Sequence, residues 1–158
     1  MKLDKTDRKI LRELQKNARI NINDLAETIG LSATPCSRRI KRLEDDGFIS
    51  RYTTILDAAT LKLDLTVIVG ITMDRHTPDR FDNFESLIKS FPEVIECSIV
   101  TGQSADYLVK VVVPDMKYYE EFLLGKLTRI DGVTGVHSSF ILREVVKRTE
   151  LPLDHYPQ

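Results

Sequence analysis

Between residues 5 and 43 apolar side chains recur every three or four positions. Beyond residue 64 alternation takes over, interrupted by two further helical stretches. A first helix is expected from about Lys5 to Asn17, with Ile10, Leu11 and Leu14 on its inner stripe. Asn21 can cap a second helix, with Asp24 three residues on as a capping-box-like partner, and Leu25, Ala26 and Ile29 face inward. Gly30 supplies a left-handed stop, Leu31 anchors the turn, and Ser32 is placed to cap a third helix. Pro35 falls in that helix's first turn, where a missing N–H is harmless. Cys36, Ile40 and Leu43 then share the inner side, while Thr34, Ser37, Arg38 and Lys41 take the outer one and Arg39 and Arg42 the flanks. Acids and Gly47 end the helix and confine its positive charge to one face. Cations on a helix are usually just a solvated face. Their agreement with the caps, the turn and the apolar stripe points instead to a helix-turn-helix, whose second helix enters the major groove of DNA.

Phe48 to Leu56 alternates apolar and polar residues, as an extended connector would, with Ile49 packing back and Arg51 left for phosphate. Residues 57–64 are a short polar link. Beyond it the pattern is strand, helix, strand, strand, helix, strand. The expected strands are Leu65–Asp74, Val94–Thr101, Asp106–Val113 and Val136–Val146, and the expected helices Asp79–Ser90 and Met116–Arg129. Phe81, Phe84, Leu87, Ile88 and Phe91 make one helix apolar on a side; Tyr119, Phe122, Leu123, Leu127 and Ile130 do the same for the other. A faint repeat relates Phe84, Ile88, Phe91 and Val94 to Leu123, Leu127, Ile130 and Val133. Two interleaved strand–helix–strand units of this kind build a ferredoxin-like βαββαβ sandwich. Right-handed crossovers place both helices on one face, so an uncovered sheet with apolar groups predicts self-association. The expected class is therefore α+β: residues 1–56 a helix-turn-helix domain with its connector, 57–64 a linker, and 65–158 a ferredoxin-like effector-binding and oligomerisation domain. The tail around Leu151, Pro152 and Leu153 either packs across a subunit boundary or frays.

Composition narrows the picture. A chain of 158 residues with 42% apolar and 30% charged content suits a soluble globular protein of one or two domains. No apolar run approaches the roughly 20 residues of a membrane span, and the charged start MKLDKTDRK lacks a signal's apolar core. A cytoplasmic, nucleoid-associated protein is expected. Cys36 and Cys97 fall at expected core positions and are taken as buried free thiols. The net charge of −1 is unevenly divided: residues 1–60 carry twelve Lys and Arg against nine Asp and Glu, and the remainder carries eleven against fifteen. So modest a basic excess requires a well-placed surface, and pairing of subunits to double it.

The chain resembles the Lrp/AsnC (feast/famine) transcriptional regulators over nearly its full length. The resemblance rests on LDKTDRKILRELQKNARI, LAETIGLSATPCSRRIKRLEDDGFI, the connector YTTIL, IECSIVTGQSADYLVKVVVPDM and GVTGVHSSFILREVVK. It implies a winged or extended helix-turn-helix joined to an amino-acid-sensing domain. It also implies dimers assembling up to octamers, and an amino-acid effector bound between dimers that controls amino-acid metabolism or transport genes. Double-stranded DNA, a second copy of the chain and that effector are the implied partners; no cofactor, metal or membrane is implied. On DNA, Ser32 and Thr34 would approach phosphate or base edges, Ser37, Arg38 and Lys41 would enter the groove, and Arg39, Arg42 and Arg51 would hold phosphates. For the effector, relatives use the turn corresponding to Gly102, Gln103, Ser104, Ala105 and Asp106. Free N–H groups there suit a carboxylate, and Asp106 suits an α-ammonium group. Ser138 and Ser139 could add hydroxyl contacts. The loop is one residue longer than in typical relatives and lacks their acid after the glycine, so a plain hairpin with Gly102 at positive φ stands beside the sensing role.

Two other functions compete. Haem-pathway decarboxylases resemble this layout, yet His76, His137 and His155 show no catalytic or metal-ligand spacing. A ligand-independent nucleoid-architecture protein would carry the same DNA-binding half.

Overall fold

The structure is a computed structural model that describes residues 2–102 and 104–155. By its contacts the chain divides into two compact units, residues 1–55 with 146–158, and residues 56–145.

The first unit holds three helices, α1 (Lys5–Lys16), α2 (Ile22–Ile29) and α3 (Ala33–Asp45). Their boundaries follow from local hydrogen bonding. Asp4 caps α1 in a reciprocal box with Asp7, each side chain accepting from the other's backbone N–H at 2.7 and 3.1 Å. Asn21 accepts from the amides of Asn23 and Asp24 at 2.9 and 3.0 Å. The box expected there is not closed, because Asp24 accepts from the Asn21 side-chain amide instead. Gly30 ends α2 with φ +77°, a left-handed conformation that strains any residue with a Cβ. Ser32 occupies the cap position of α3 but makes no side-chain cap bond. Ile10, Leu25, Cys36 and Leu43, each at 1% exposure or less, meet in the centre of the unit, with Ile40, Phe48 and Ile49 packed against them.

Residues 50–56 form no helix or strand and are exposed, with the Tyr52 hydroxyl donating to Glu44 at 2.7 Å. One expectation for the first unit is corrected: the carboxy-terminal tail does not belong to the second domain. Leu153 packs against the helical core, Gln15 exchanges two hydrogen bonds with the Leu151 backbone, and Asp154 pairs with Arg12. An apolar side chain plus two backbone bonds holds the described tail in place.

The second unit has the order β1 (Leu65–Met73), α4 (Pro78–Ile88), β2 (Val94–Ile99), β3 (Tyr107–Val113), α5 (Met116–Gly125), a 3-10 turn (Leu127–Arg129) and β4 (Val133–Phe140). The strands form one antiparallel sheet in the order β2-β3-β1-β4, as the βαββαβ pattern requires. Alternation decides its faces. Val67, Val69 and Ile71 on β1 pair with Val111, Val109 and Tyr107 on β3, and all six are buried with Phe84, Ile88, Tyr119, Phe122, Leu127 and Ile130.

The faint repeat has a structural counterpart. Phe91 and Ile130 donate to Ile88 and Leu127, both at 3.3 Å, and Val94 and Val133 then donate to Phe91 and Ile130, both at 3.1 Å. Each repeat therefore turns from helix into strand by the same bonds. The last strand begins and ends earlier than alternation suggests, since Val133 already pairs with Met73 across an irregularity. Leu87, expected to face inward, is exposed, as is Cys97 on edge strand β2.

Candidate DNA-binding and effector sites

The outer face of α3 is polar and open. Ser32, Thr34, Ser37, Arg38 and Lys41 are exposed, while Cys36 and Leu43 on the opposite side are fully buried. This division of one helix fixes which side chains can reach a partner. Arg51, in the connector, is also exposed.

The flanking cations are paired with acids at the start of α1. Asp7 lies with its side chain 1% exposed, and Arg39 and Arg42 converge on it from α3. Arg39 Nη1 donates to Asp7 Oδ1 at 2.7 Å and to Asp4 Oδ2 at 2.6 Å. Arg42 Nη2 donates to both Asp7 oxygens at 2.8 Å. Arg39 and Arg42 each commit one nitrogen to an acid and keep their other donors. A buried carboxylate needs such partners, because desolvating an unpaired charge otherwise costs several kcal/mol even after relaxation. Burial works against the Asp4 charge, yet hydrogen bonds from the Asp7 amide and Arg39 hold its carboxyl below the usual range. The same bonds, from Asp4 first and then Asp7, push the Arg39 guanidinium up.

In the second unit the connection between β2 and β3 carries the expected effector loop. Gly102 has φ +81°, a conformation suited to glycine, and Gln103 lies outside the described residues. The Ser104 carbonyl accepts from the Thr72 hydroxyl at 3.2 Å. Ala105 faces Gly70, where an added Cβ would stand only 3.2 Å from the alanine's own. Asp106 is already engaged: Oδ2 accepts from the Met73 amide and Oδ1 contacts His76 Nε2, both at 2.7 Å. Any ammonium group reaching this carboxylate would share it with His76, whose ring is 67% exposed.

Ser138 and Ser139 cannot serve one site together. Adjacent residues of a strand point to opposite faces. Ser138 turns toward the helices and shares a hydrogen bond of 2.5 Å with the Tyr119 hydroxyl, while Ser139, paired with Ile68, lies on the uncovered face. Burial pushes the Tyr119 hydroxyl pKa up, opposed by that bond.

Comparison with known proteins identifies this combination. Residues 3–50 match a winged helix-turn-helix DNA-binding model, and residues 66–151 match the Lrp/AsnC ligand binding domain. The chain belongs to the Lrp/AsnC family. Leucine-responsive regulatory proteins of Klebsiella pneumoniae and Escherichia coli are each 42% identical over 149 residues, covering 94% of this chain and 90% of theirs. A transcriptional regulator from Neisseria meningitidis, solved as an L-Met complex, superposes with a TM-score of 0.93 at 38% identity, covering 97% of this chain and 98% of that one. An AsnC family regulator from Agrobacterium tumefaciens gives 0.91 at 39% identity, covering 96% and 98%. The protein is accordingly a DNA-binding transcription regulator with an amino-acid-binding domain, and its relatives are regulators rather than enzymes.

Within this Lrp/AsnC chain, Asp4, Asp7 and His76 are the polar participants that sequence reasoning missed. Asp4 and Asp7 carried a local signal, since aspartate at a helix start followed by an acid three residues on is a capping pattern. His76 carried none. No group of three or more potential metal ligands converges among the described residues, and none of their helices is long and apolar enough to cross a membrane.

Proposed function

We propose that the chain binds operator DNA as a homodimer, assembling further up to an octamer. In this proposal α3 lies in the major groove, and an amino acid held near the 102–106 loop at a contact between dimers changes DNA affinity. The observation that carries the DNA half is the division of α3, with Ser37, Arg38 and Lys41 open and Cys36 and Leu43 sealed. Arginine and lysine on an open helix face suit guanine edges and phosphate. Subunit pairing supplies two such helices, which read half-sites about 34 Å apart along the duplex.

Self-association is supported by apolar surface that one chain leaves open. Tyr52, Ile55 and Leu56 are exposed in the connector, and Ile68, Leu108 and Val112 lie on the sheet face opposite the helices. The effector reading is supported by the partly exposed carboxylate of Asp106. It also draws on the Neisseria regulator, which was solved with L-Met. Ser139 remains available to such a site, whereas Ser138 is committed to Tyr119. An amino acid, rather than a cofactor, is the proposed small molecule, and genes of amino-acid metabolism or transport are the proposed targets.

Footprinting on duplexes selected from random sequence, with and without each amino acid, tests the proposal. A two-fold related footprint that changes with one or a few amino acids is the expected result. A salt-sensitive smear that no amino acid alters would indicate an architectural protein instead, and would refute the sensing role.

A further inference from the structure

Arg38, Arg39 and Arg42 line a cleft of about 200 Å³ on the exposed side of α3. Two of the three are braced from behind. Arg39 gives Nη1 to Asp4 and Asp7, and Arg42 gives Nη2 to Asp7. The Asp7 carboxylate is also anchored by the Asp4 amide at 3.1 Å, so the brace is tied to the start of α1 and not to a mobile side chain. A guanidinium offers five N–H donors in a planar fork; fixing one nitrogen orients the rest without consuming them.

We propose that this cleft seats one backbone phosphate of bound DNA, and that Asp7 is the residue that positions it. The proposal rests on the DNA-binding function set out above, and adds a residue outside the recognition helix that shapes contact with the duplex. A phosphate is the chemistry that the two braced guanidinium groups of Arg39 and Arg42 recognise, through paired N–H···O bonds of fixed geometry, while Arg38 reaches a base edge. Such a contact positions the helix and carries no base preference. Asp7 touches no DNA. It acts through Arg39 and Arg42, removing in advance the rotamer freedom that two long side chains would otherwise lose on binding.

The sign of one substitution separates this role from simple charge. Asp7→Asn makes the DNA-binding unit more positive, so bulk electrostatics calls for tighter binding. Loss of positioning calls for weaker binding. The test is fluorescence anisotropy of the full-length chain on a selected operator duplex and on a random duplex, over a series of salt concentrations. For Asp7→Asn the expected result is about tenfold weaker binding to both duplexes, with an unchanged ratio between them. The salt slope should also shrink by about 0.9 for each DNA phosphate that is no longer neutralised.

Unchanged or tighter binding by Asp7→Asn, with the wild type still distinguishing operator from random DNA, overturns the proposal but leaves the DNA-binding function standing. Failure of the wild type itself to distinguish the two refutes the function first. Should Asp7→Asn not fold, Arg42→Lys decides, because it keeps the charge and removes the fork. A salt slope and affinity equal to wild type for Arg42→Lys would overturn the seat, and weaker binding to both duplexes alike would support it.

Discussion

Asp106 offers the sharpest separation of fold from sensing. Its carboxylate, 19% exposed, accepts from the Met73 amide at 2.7 Å at the end of β1, where Met73 is 5% exposed, and also contacts His76. The two bonds differ in worth. A hydrogen bond from a buried amide to a charged acceptor contributes about 1.5–3 kcal/mol. The pair with His76, 67% exposed, is screened by solvent and contributes about 0.2–1 kcal/mol.

Asp106→Ala removes both and leaves the Met73 amide unpaired, so it should cost about 2–3 kcal/mol. Asp106→Asn keeps a neutral acceptor and should cost about 1 kcal/mol. His76→Ala should cost less than about 1 kcal/mol. At about 4–8 °C per kcal/mol for a domain of this size, thermal unfolding followed by near-ultraviolet circular dichroism resolves the three. Calorimetry with amino acids then reads sensing. Asp106→Asn should abolish the heat while the fold persists, and His76→Ala should tighten binding by removing the group that competes for the carboxylate. Equal destabilisation by His76→Ala and Asp106→Ala would refute the energetic ranking. Full amino-acid binding by Asp106→Asn would refute the carboxylate as the ammonium partner.

Other outcomes follow from the same geometry. Leu43 is fully buried and joins α3 to the helical core, so Leu43→Ala should cost about 2–5 kcal/mol in urea unfolding, with DNA binding falling in parallel. Arg38→Ala should cost about 1–3 kcal/mol at one operator position and relax preference there, as a base-substitution series would report. Glu93 is buried in the second unit; burial opposes its charge, but Lys126 at 2.6 Å and Tyr118 at 3.3 Å hold its carboxyl below the ordinary 4.5. Because the folded value is lowered, this pairing stabilises above about pH 4.5 and disappears as pH falls through the folded value. Glu93→Gln should therefore flatten the acid limb of a stability–pH curve, and a limb as steep as wild type would show that Glu93 does not contribute to it.

Much of this architecture was legible from residue order because it is written in short periods. The caps at Asn21 and Gly30, the inner stripe of α3, and the alternation of β1 and β3 each depend on neighbours within four residues. The repeat of Phe91–Val94 in Ile130–Val133 was visible for the same reason, since each copy closes its own turn. The opposite orientation of Ser138 and Ser139 also follows from a period of two, although both were expected at one effector site.

What tertiary structure alone decided lies at long separations. Arg39 and Arg42 look like any solvated cations until α1, 32 to 35 residues earlier, brings Asp7 against them. The tail finds Gln15 across 136 residues, and Asp106 finds the Met73 amide across 33. No periodicity records such pairings, because a charge or a hydrogen-bond donor chooses its partner by proximity in the folded chain. Local order prescribed the helices, the strands and the helix offered to DNA. The packing of distant segments determined which of its cations are free and which are held.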